Sequence, residues 1–243
     1  MHDFFYKDNE LYCEKVRVRE IAEKVGTPVY IYSYKTFVEH LEKIQRAFRP
    51  IKPLICYSMK ANSNLAILKA LVQRGSGLDI VSGGELFRAK RVGCPPEKIV
   101  YAGVGKTEEE IEEALRFGIL LFNVESVPEL DTINRLAKRL KKTANISLRV
   151  NPGIDPKTHD HIATGKAESK FGMDMDTARK IFLSRNHYSA LSLCGVHVHI
   201  GSQIVTGQPF IEAFWKVLAF IDELAKEKIK IRYLNLGGGL GVI

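Results

Sequence analysis

The stretch Cys56-Tyr57-Ser58-Met59-Lys60-Ala61-Asn62 ends an apolar strand pattern on a lysine. The pattern begins near Pro53 and Leu54, and a helix pattern with Asn64 as N-cap follows at once. Lysine is a poor occupant of a buried strand unless its ammonium reaches solvent or has a chemical task. A semi-buried lysine is suited to Schiff-base formation with a carbonyl group. The stretch alone leaves both interpretations open.

Strand and helix patterns alternate along the chain from this stretch onward. The spacing is that of βα units, and the strand patterns are near-continuous apolar runs, as in sheets buried on both faces. We therefore predict a (β/α)8 barrel of the TIM type with seven barrel strands present, and an open doubly wound sheet as the alternative. The predicted strands are Leu54 to Met59, Leu78 to Val81, Ile99 to Ala102, Leu120 to Val124, Ile146 to Val150, Leu193 to Ile200 and Ile231 to Leu236.

The two ends of the chain differ from this alternation. At the start, a short helix from Val18 to Val25 and a strand from Thr27 to Tyr32 precede a helix capped by Ser33. We expect residues 1–33 to form a segment that packs beside a barrel of residues 34–243. Because seven of eight strands cannot close a barrel, we also expect either a longer natural protein or a partner that completes it.

Composition excludes several classes of protein. The net charge is +8, but basic residues are scattered among acids, so nucleic acid is not an expected partner. No apolar run is long enough to span a membrane and the N-terminus is no signal peptide, which favours the cytoplasm. The 4 cysteines form no CxxC pair, so neither disulfides nor a zinc site is expected.

Polar residues collect where the predicted strands end, which is where α/β barrels place their ligands. The glycine run Gly237-Gly238-Gly239-Leu240-Gly241 follows the seventh strand and is either a phosphate-binding turn or a flexible loop. The other residues at strand ends are Lys60, Asp79, Asn123, Glu125, Arg149, His197, His199 and Ser202.

Two histidine pairs raise the question of a metal. His197 and His199 are two apart on a strand, so they point to opposite faces and chelate poorly together. A His-x-His strand still leaves a metal-dependent hydrolase open as an alternative. The other pair, in His159-Asp160-His161, lies in a polar loop and is interpreted as loop. We expect no metal.

Four segments together resemble the fold-type III pyridoxal-phosphate decarboxylases. They are residues 57–62, residues 79–85, His197-Val198-His199-Ile200-Gly201-Ser202-Gln203 and the glycine run at 237–241. A further segment, Thr158-His159-Asp160-His161-Ile162-Ala163-Thr164-Gly165 followed by Ser169-Lys170-Phe171-Gly172, is similar to a loop of the branch that acts on meso-diaminopimelate. The resemblance covers nearly the whole chain.

The resemblance implies a pyridoxal 5'-phosphate cofactor and a carboxy-lyase that makes L-lysine and CO2 from meso-2,6-diaminopimelate. It implies that Lys60 binds the cofactor covalently and that His199 stacks on its ring. It assigns the phosphate to Ser202 and to Gly237, Gly238 and Gly239, with Asp79 near the lysine and Arg149 supporting the site. It also implies a homodimer with shared active sites.

The chain departs from the family pattern in two places. The family's eighth strand carries a Glu-Pro-Gly-Arg motif, and its C-terminal β-domain carries a Cys-Glu-Ser motif that enters the partner's site. Neither occurs here, so we expect these residues to be the barrel portion of a longer enzyme. The alternatives are decarboxylases of ornithine, arginine or carboxynorspermidine, and a non-catalytic barrel that binds pyridoxal phosphate.

Overall fold

The computed structural model describes residues 3–154 and 171–242. The chain divides into two compact units, one of residues 1–79 and 84–98 and the other of residues 80–83 and 99–243. The first unit contains β1 (Phe4–Lys7), β2 (Glu10–Cys13), β3 (Val16–Arg17), α1 (Val18–Val25), α2 (Tyr34–Ala47), β4 (Cys56–Ser58), α3 (Leu65–Gln73), most of β5 (Gly77–Ile80) and most of α4 (Gly83–Arg91).

The first unit opens with a three-stranded antiparallel sheet in the order β1-β2-β3. Its turns place Asp8, Asn9 and Glu14 at φ 49°, 61° and 57°. Short polar residues such as Asp8 and Asn9 tolerate this region best. The strand predicted from Thr27 to Tyr32 was wrong, because these residues form no strand. Pro28 has no N–H to donate to a ladder, and Tyr30 is 87% exposed, so an apolar pattern here does not correspond to a buried strand.

The helices of the first unit start where their caps predict. Ser33 accepts a hydrogen bond from Thr36 N (3.1 Å) before α2, and Asn64 accepts one from Ala66 N (2.9 Å) before α3. The facing sides of α2 and α3 bury Leu41, Ile67 and Leu71, with Phe37, Ile55 and Tyr57 packed against them. Because Tyr57 belongs to β4, this core packs against β4, which pairs in parallel with β5.

The described residues of the second unit contain further strands and helices. They are β6 (Ile99–Tyr101), α5 (Glu108–Phe117), β7 (Leu121–Val124), α6 (Val127–Arg139), β8 (Ala144–Arg149), α7 (Met175–Leu183), β9 (Leu191–His197), α8 (Gln208–Lys226) and β10 (Tyr233–Asn235). The strands β6 to β10 pair in parallel in chain order, and Ile80 at the end of β5 accepts a hydrogen bond from Ala102 N (2.8 Å). In the part of the chain that the structure describes, seven parallel strands alternate with helices, which confirms the predicted incomplete (β/α)8 barrel.

Helix starts in the second unit also follow the sequence signals. Thr107 and Glu110 form a capping box at α5, and Ser126 caps α6 ahead of Pro128 in its first turn. Gly118 ends α5 at φ 80°. The predicted strand ends were less accurate, since β9 ends at His197 rather than at Ile200.

The strands β7, β8 and β9 have two different faces. Phe122 pairs with Ile146, and Leu148 pairs with Val196, so one face is apolar. The register of β8 and β9 shifts between Ile146 and Ser147, where β9 has one extra residue, Cys194. The opposite face, here called the polar face, carries Asn123, Glu125, Ser147, Arg149 and His197, with Glu125 lying just after β7.

Candidate active site

Lys60 lies immediately after β4, in a single-turn 3-10 helix from Met59 to Ala61. Met59 is fully buried, whereas Lys60 is exposed. Of the two interpretations that the sequence leaves open, the structure therefore favours the one in which the lysine reaches solvent, because the strand already ends at Ser58. The lysine does stand at the C-terminal end of a barrel strand, as predicted.

Asp79 lies on β5 directly opposite Ser58 on β4. It is half-buried, and Ser58 Oγ donates a hydrogen bond of 2.9 Å to Asp79 Oδ2. Ser58 was not among the predicted site residues. Its position two residues before the lysine, at the end of the same strand, was the available signal. The first unit thus contributes Lys60 and an aspartate oriented by a neighbouring hydroxyl.

Arg149 and Glu125 form a buried ion pair on the polar face. Arg149 Nη1 lies 2.9 Å from Glu125 Oε2, and the two side chains are 8% and 2% exposed. Glu125 also accepts hydrogen bonds from the backbone N–H groups of Gly103 and Gly172, each at 3.2 Å. The Arg149 guanidinium lies 5.1 Å from the centroid of the Phe171 ring. The Glu125 carboxylate is therefore bonded to three different segments of the chain, through Gly103, Arg149 and Gly172.

A second buried ion pair, formed by Lys106 and Glu129, is hydrogen-bonded to the first through the backbone of Glu125. Lys106 Nζ lies 2.6 Å from Glu129 Oε1, and the lysine side chain is 1% exposed. Lys106 also donates to the carbonyl oxygens of Gly103 and Asn123, and Glu129 Oε2 accepts from Glu125 N. Sequence reasoning missed this pair, because a lysine in the loop after β6 gives no sign that it folds inward.

His197 and His199 have different surroundings, as their spacing predicts. His197 is 5% exposed, and burial lowers its pKa well below 6.5, helped by the charge of Arg149 and by His199 and Lys106. It is therefore neutral at pH 7. His199 is half-buried beyond the end of β9, and its Nδ1 accepts a hydrogen bond of 3.3 Å from Gly238 N.

The glycine run after β10 packs tightly against the segment that follows β9. A Cβ on Gly237 would overlap Val198 O, and a Cβ on Gly239 would overlap Gly201 O. Both glycines have positive φ, 68° and 97°. Nothing lies within 4 Å of the Cβ position at Gly238. The loop is thus an ordered turn whose backbone alone can approach a ligand closely, which is what a phosphate site of this kind needs.

The remaining predicted residues divide between the units. Ser202 is half-buried in the second unit, together with Arg149, His199 and the glycine run, whereas Lys60 and Asp79 belong to the first. The segment 158–165 and residues 169–170 lie outside the described residues, while Phe171 and Gly172 lie within them. Across residues 3–154 and 171–242, no three His, Cys, Asp or Glu side chains are grouped to hold a metal ion. No helix in these ranges is long and apolar enough to cross a bilayer.

Parallel strands that alternate with helices, a fold that places its ligands at the C-terminal ends of the strands, define the class of α/β barrel proteins. Residues 34–243 match the model of the pyridoxal-binding domain of pyridoxal-dependent decarboxylases. The chain belongs to this family.

Individual relatives show which pyridoxal-dependent decarboxylases the chain is similar to. The chain is 48% identical over 237 residues to a diaminopimelate decarboxylase of Aquifex aeolicus, covering 98% of this chain and 56% of the relative. A diaminopimelate decarboxylase of Helicobacter pylori solved with L-lysine matches with TM-score 0.88 and 44% identity, over 92% of this chain and 57% of that one. One from M. jannaschii, also with L-lysine, matches with TM-score 0.92 and 41% identity, over 98% and 57%. The chain thus spans little more than half the length of these relatives.

Proposed function

We propose that these residues are the cofactor-binding part of an enzyme that decarboxylates meso-2,6-diaminopimelate to L-lysine. The observation that carries the proposal is the similarity to relatives named diaminopimelate decarboxylase, at 48% identity over 98% of this chain. Two matching structures of that name were solved with L-lysine. Sequence identity of 48% over 98% of this chain favours diaminopimelate as the substrate over ornithine, arginine and carboxynorspermidine.

The residues present fit pyridoxal phosphate. The cradle of Gly237 and Gly239 leaves no room for a Cβ, so only backbone can line it, and Ser202 adds a hydroxyl in the same unit. Bound pyridoxal phosphate supplies an electron sink that accepts the electron pair left when CO2 departs. Lys60 is the residue proposed to hold the cofactor covalently, because its amine stands at a strand end and is exposed.

The other residues are proposed to position and stabilise. His199 Nδ1 accepts a hydrogen bond from the backbone N–H of Gly238, and this bond fixes the imidazole ring against the glycine run. The ring is proposed to stack on the cofactor in this orientation. Asp79, oriented by Ser58, is proposed to lie near the lysine. Arg149 donates a hydrogen bond to Glu125 and is proposed to support the site from the end of β8.

The whole protein is proposed to be longer than these residues, because the relatives are. We propose residues 1–33 as an N-terminal segment and 34–243 as the barrel, in a cytoplasmic homodimer that shares its active sites. Ornithine, arginine and carboxynorspermidine remain the alternative substrates, and a non-catalytic pyridoxal-phosphate-binding barrel the alternative protein. The segment 158–172 is where substrate choice is proposed to lie.

The test is an absorption spectrum of the full-length protein with pyridoxal phosphate, followed by an assay of lysine formation from meso-diaminopimelate. We expect a visible cofactor band that Lys60→Ala abolishes, and borohydride reduction that fixes the label on Lys60. Lys69→Ala is the matched control, because Lys69 is an exposed lysine on α3 nearby in sequence. A folded protein with no band would contradict the cofactor assignment.

The substrate is tested separately from the cofactor. Lysine produced from meso-diaminopimelate, with no reaction of ornithine, arginine or carboxynorspermidine, is the expected result. A band without turnover of any of the four would favour the non-catalytic barrel.

A further inference from the structure

The polar face of β7 to β9 holds buried polar atoms that no described residue satisfies. They are Asn123 Nδ2 and Oδ1, Ser147 Oγ, Arg149 Nε and His197 Nδ1. Asn123 and Ser147 are 0% exposed, His197 5% and Arg149 7%. Because buried polar atoms in native proteins nearly always have a hydrogen-bond partner, these atoms mark a place where something else supplies the bonds.

The atoms form one cluster rather than isolated exceptions. Asn123 lies directly opposite Ser147, and Arg149 lies directly opposite His197, on neighbouring strands. Alternate residues of a strand share a face, so the two pairs are adjacent layers of the same surface. Gly195 lies opposite Ser147, and a Cβ there would come 2.9 Å from Ser147 Cβ. The absence of that Cβ makes room for the Ser147 side chain on this face.

The chemistry of the cluster restricts what it can bind. Asn123 and Ser147 can each donate and accept, the Arg149 Nε–H only donates, and a neutral imidazole nitrogen does one or the other. The charge of Arg149 is balanced by Glu125 at 2.9 Å, so the cluster offers no net charge to an ion. The best match is a small neutral molecule that both donates and accepts.

We infer that the polar face binds ordered water between the side chains of Asn123, Ser147, Arg149 and His197. A buried water makes about three hydrogen bonds, so about two molecules satisfy the five atoms. They fix the Asn123 amide and the His197 ring, and they accept a hydrogen bond from Arg149 Nε, whereas Glu125 accepts one from Arg149 Nη1. The inference rests on these contacts alone and does not depend on the proposed function.

The first test is a crystal structure of the full-length protein at a resolution that shows ordered water. We expect water within hydrogen-bonding distance of at least two of the four side chains at once. Density for another side chain, for the cofactor or for no group at all at these atoms would overturn the inference.

The second test is a pair of variants measured in crystals and by water relaxation in solution. Asn123→Leu has a similar shape but no polar atoms, and we expect it to lose the bound water and to reduce the number of long-lived waters. Leu148→Met is the matched control, because Leu148 is fully buried on the apolar face, and it should retain them. Ser147→Ala removes one partner and gives a milder form of the same test if Asn123→Leu does not fold. Unchanged water in the variant that folds would overturn the inference.

Discussion

Arg149 at the end of β8 and Glu125 after β7 form an ion pair of 2.9 Å that is almost completely buried. Two backbone amides, those of Gly103 and Gly172, add hydrogen bonds to the same carboxylate. Such a pair adds little net stability compared with apolar groups, but removing one partner leaves an uncompensated buried charge. The consequences of that asymmetry can be measured.

Arg149→Met is expected to destabilise the protein by about 3–5 kcal/mol, because Glu125 then remains buried without its cation. The measurement is the free energy of unfolding from urea titration. Arg135→Met is the control, since Arg135 pairs with Glu108 at 2.6 Å but both side chains are about half exposed, at 53% and 51%. That change should cost no more than about 1 kcal/mol. Equal costs for the two variants would contradict the assignment.

The buried His197 is expected to make the free energy of unfolding depend on pH. Burial lowers its pKa well below 6.5 in the folded state, so the unfolded chain binds a proton that the folded chain does not. The stability contributed by the neutral form is present above pH 6.5 and decreases as pH falls below it. Urea midpoints should therefore fall from pH 7.5 to 5.5, and less so in His197→Gln. His187→Gln, at an exposed histidine, is the control for replacing a histidine by glutamine. A fall in the urea midpoint of His197→Gln as large as that of the unsubstituted protein would contradict the assignment.

Gly239→Ala is expected to weaken binding of pyridoxal phosphate. A Cβ would overlap Gly201 O, and an alanine at φ 97° is strained by about 1–3 kcal/mol. Relief of this strain would move the loop away from its binding position, and about 1–3 kcal/mol corresponds to roughly 5-fold to 150-fold in the dissociation constant. Gly207→Ala is the control, because nothing lies within 4 Å of its Cβ position. Titration of cofactor absorbance separates the two, and equal affinities would argue against the cradle.

Glu110→Gln is expected to destabilise α5 by about 0.5–2 kcal/mol at pH 7. Burial tends to raise the pKa of Glu110, but hydrogen bonds from Thr107 N (2.9 Å) and Gly83 N (2.6 Å) outweigh it and lower the pKa. An amide can accept only one of these bonds through its oxygen.

The effect of Glu110 should depend on pH. Because its folded-state pKa is lowered, the stabilisation is present above pH 4.5 and is lost as acid protonates the folded carboxylate. The cost of Glu110→Gln should therefore shrink at low pH. Glu109→Gln, at an exposed position of the same helix, is the control for the substitution. A cost of Glu110→Gln that does not change with pH would contradict the role of the carboxylate.

The helix starts could be predicted because their signals are local. Asn64, Thr107 and Ser126 each satisfy an orphan N–H within three residues, so sequence alone locates them. The segment from Thr27 to Tyr32 could not be predicted in the same way. Its apolar pattern fits a strand, but a strand also needs a partner, and that depends on the rest of the chain.

The strand-end positions of the candidate residues could be predicted from the sequence, but the contacts between side chains could not. Lys60, Arg149 and His199 could be found because each follows an apolar run. The burial of Lys106 against Glu129 could not, since these residues come from different loops and are joined only by folding. The sequence leaves the exposure of Lys60 open, because that exposure depends on where the strand ends.

The extra residue in β9 changes which side chains share a surface. Leu193 lies opposite Ile146 on the apolar face, yet His197, four residues later, lies opposite Arg149 on the polar face. In a regular strand these two residues would point the same way. Cys194 thus acts as a phase shift, and deleting it would turn either the leucine or the histidine to the wrong side of the sheet.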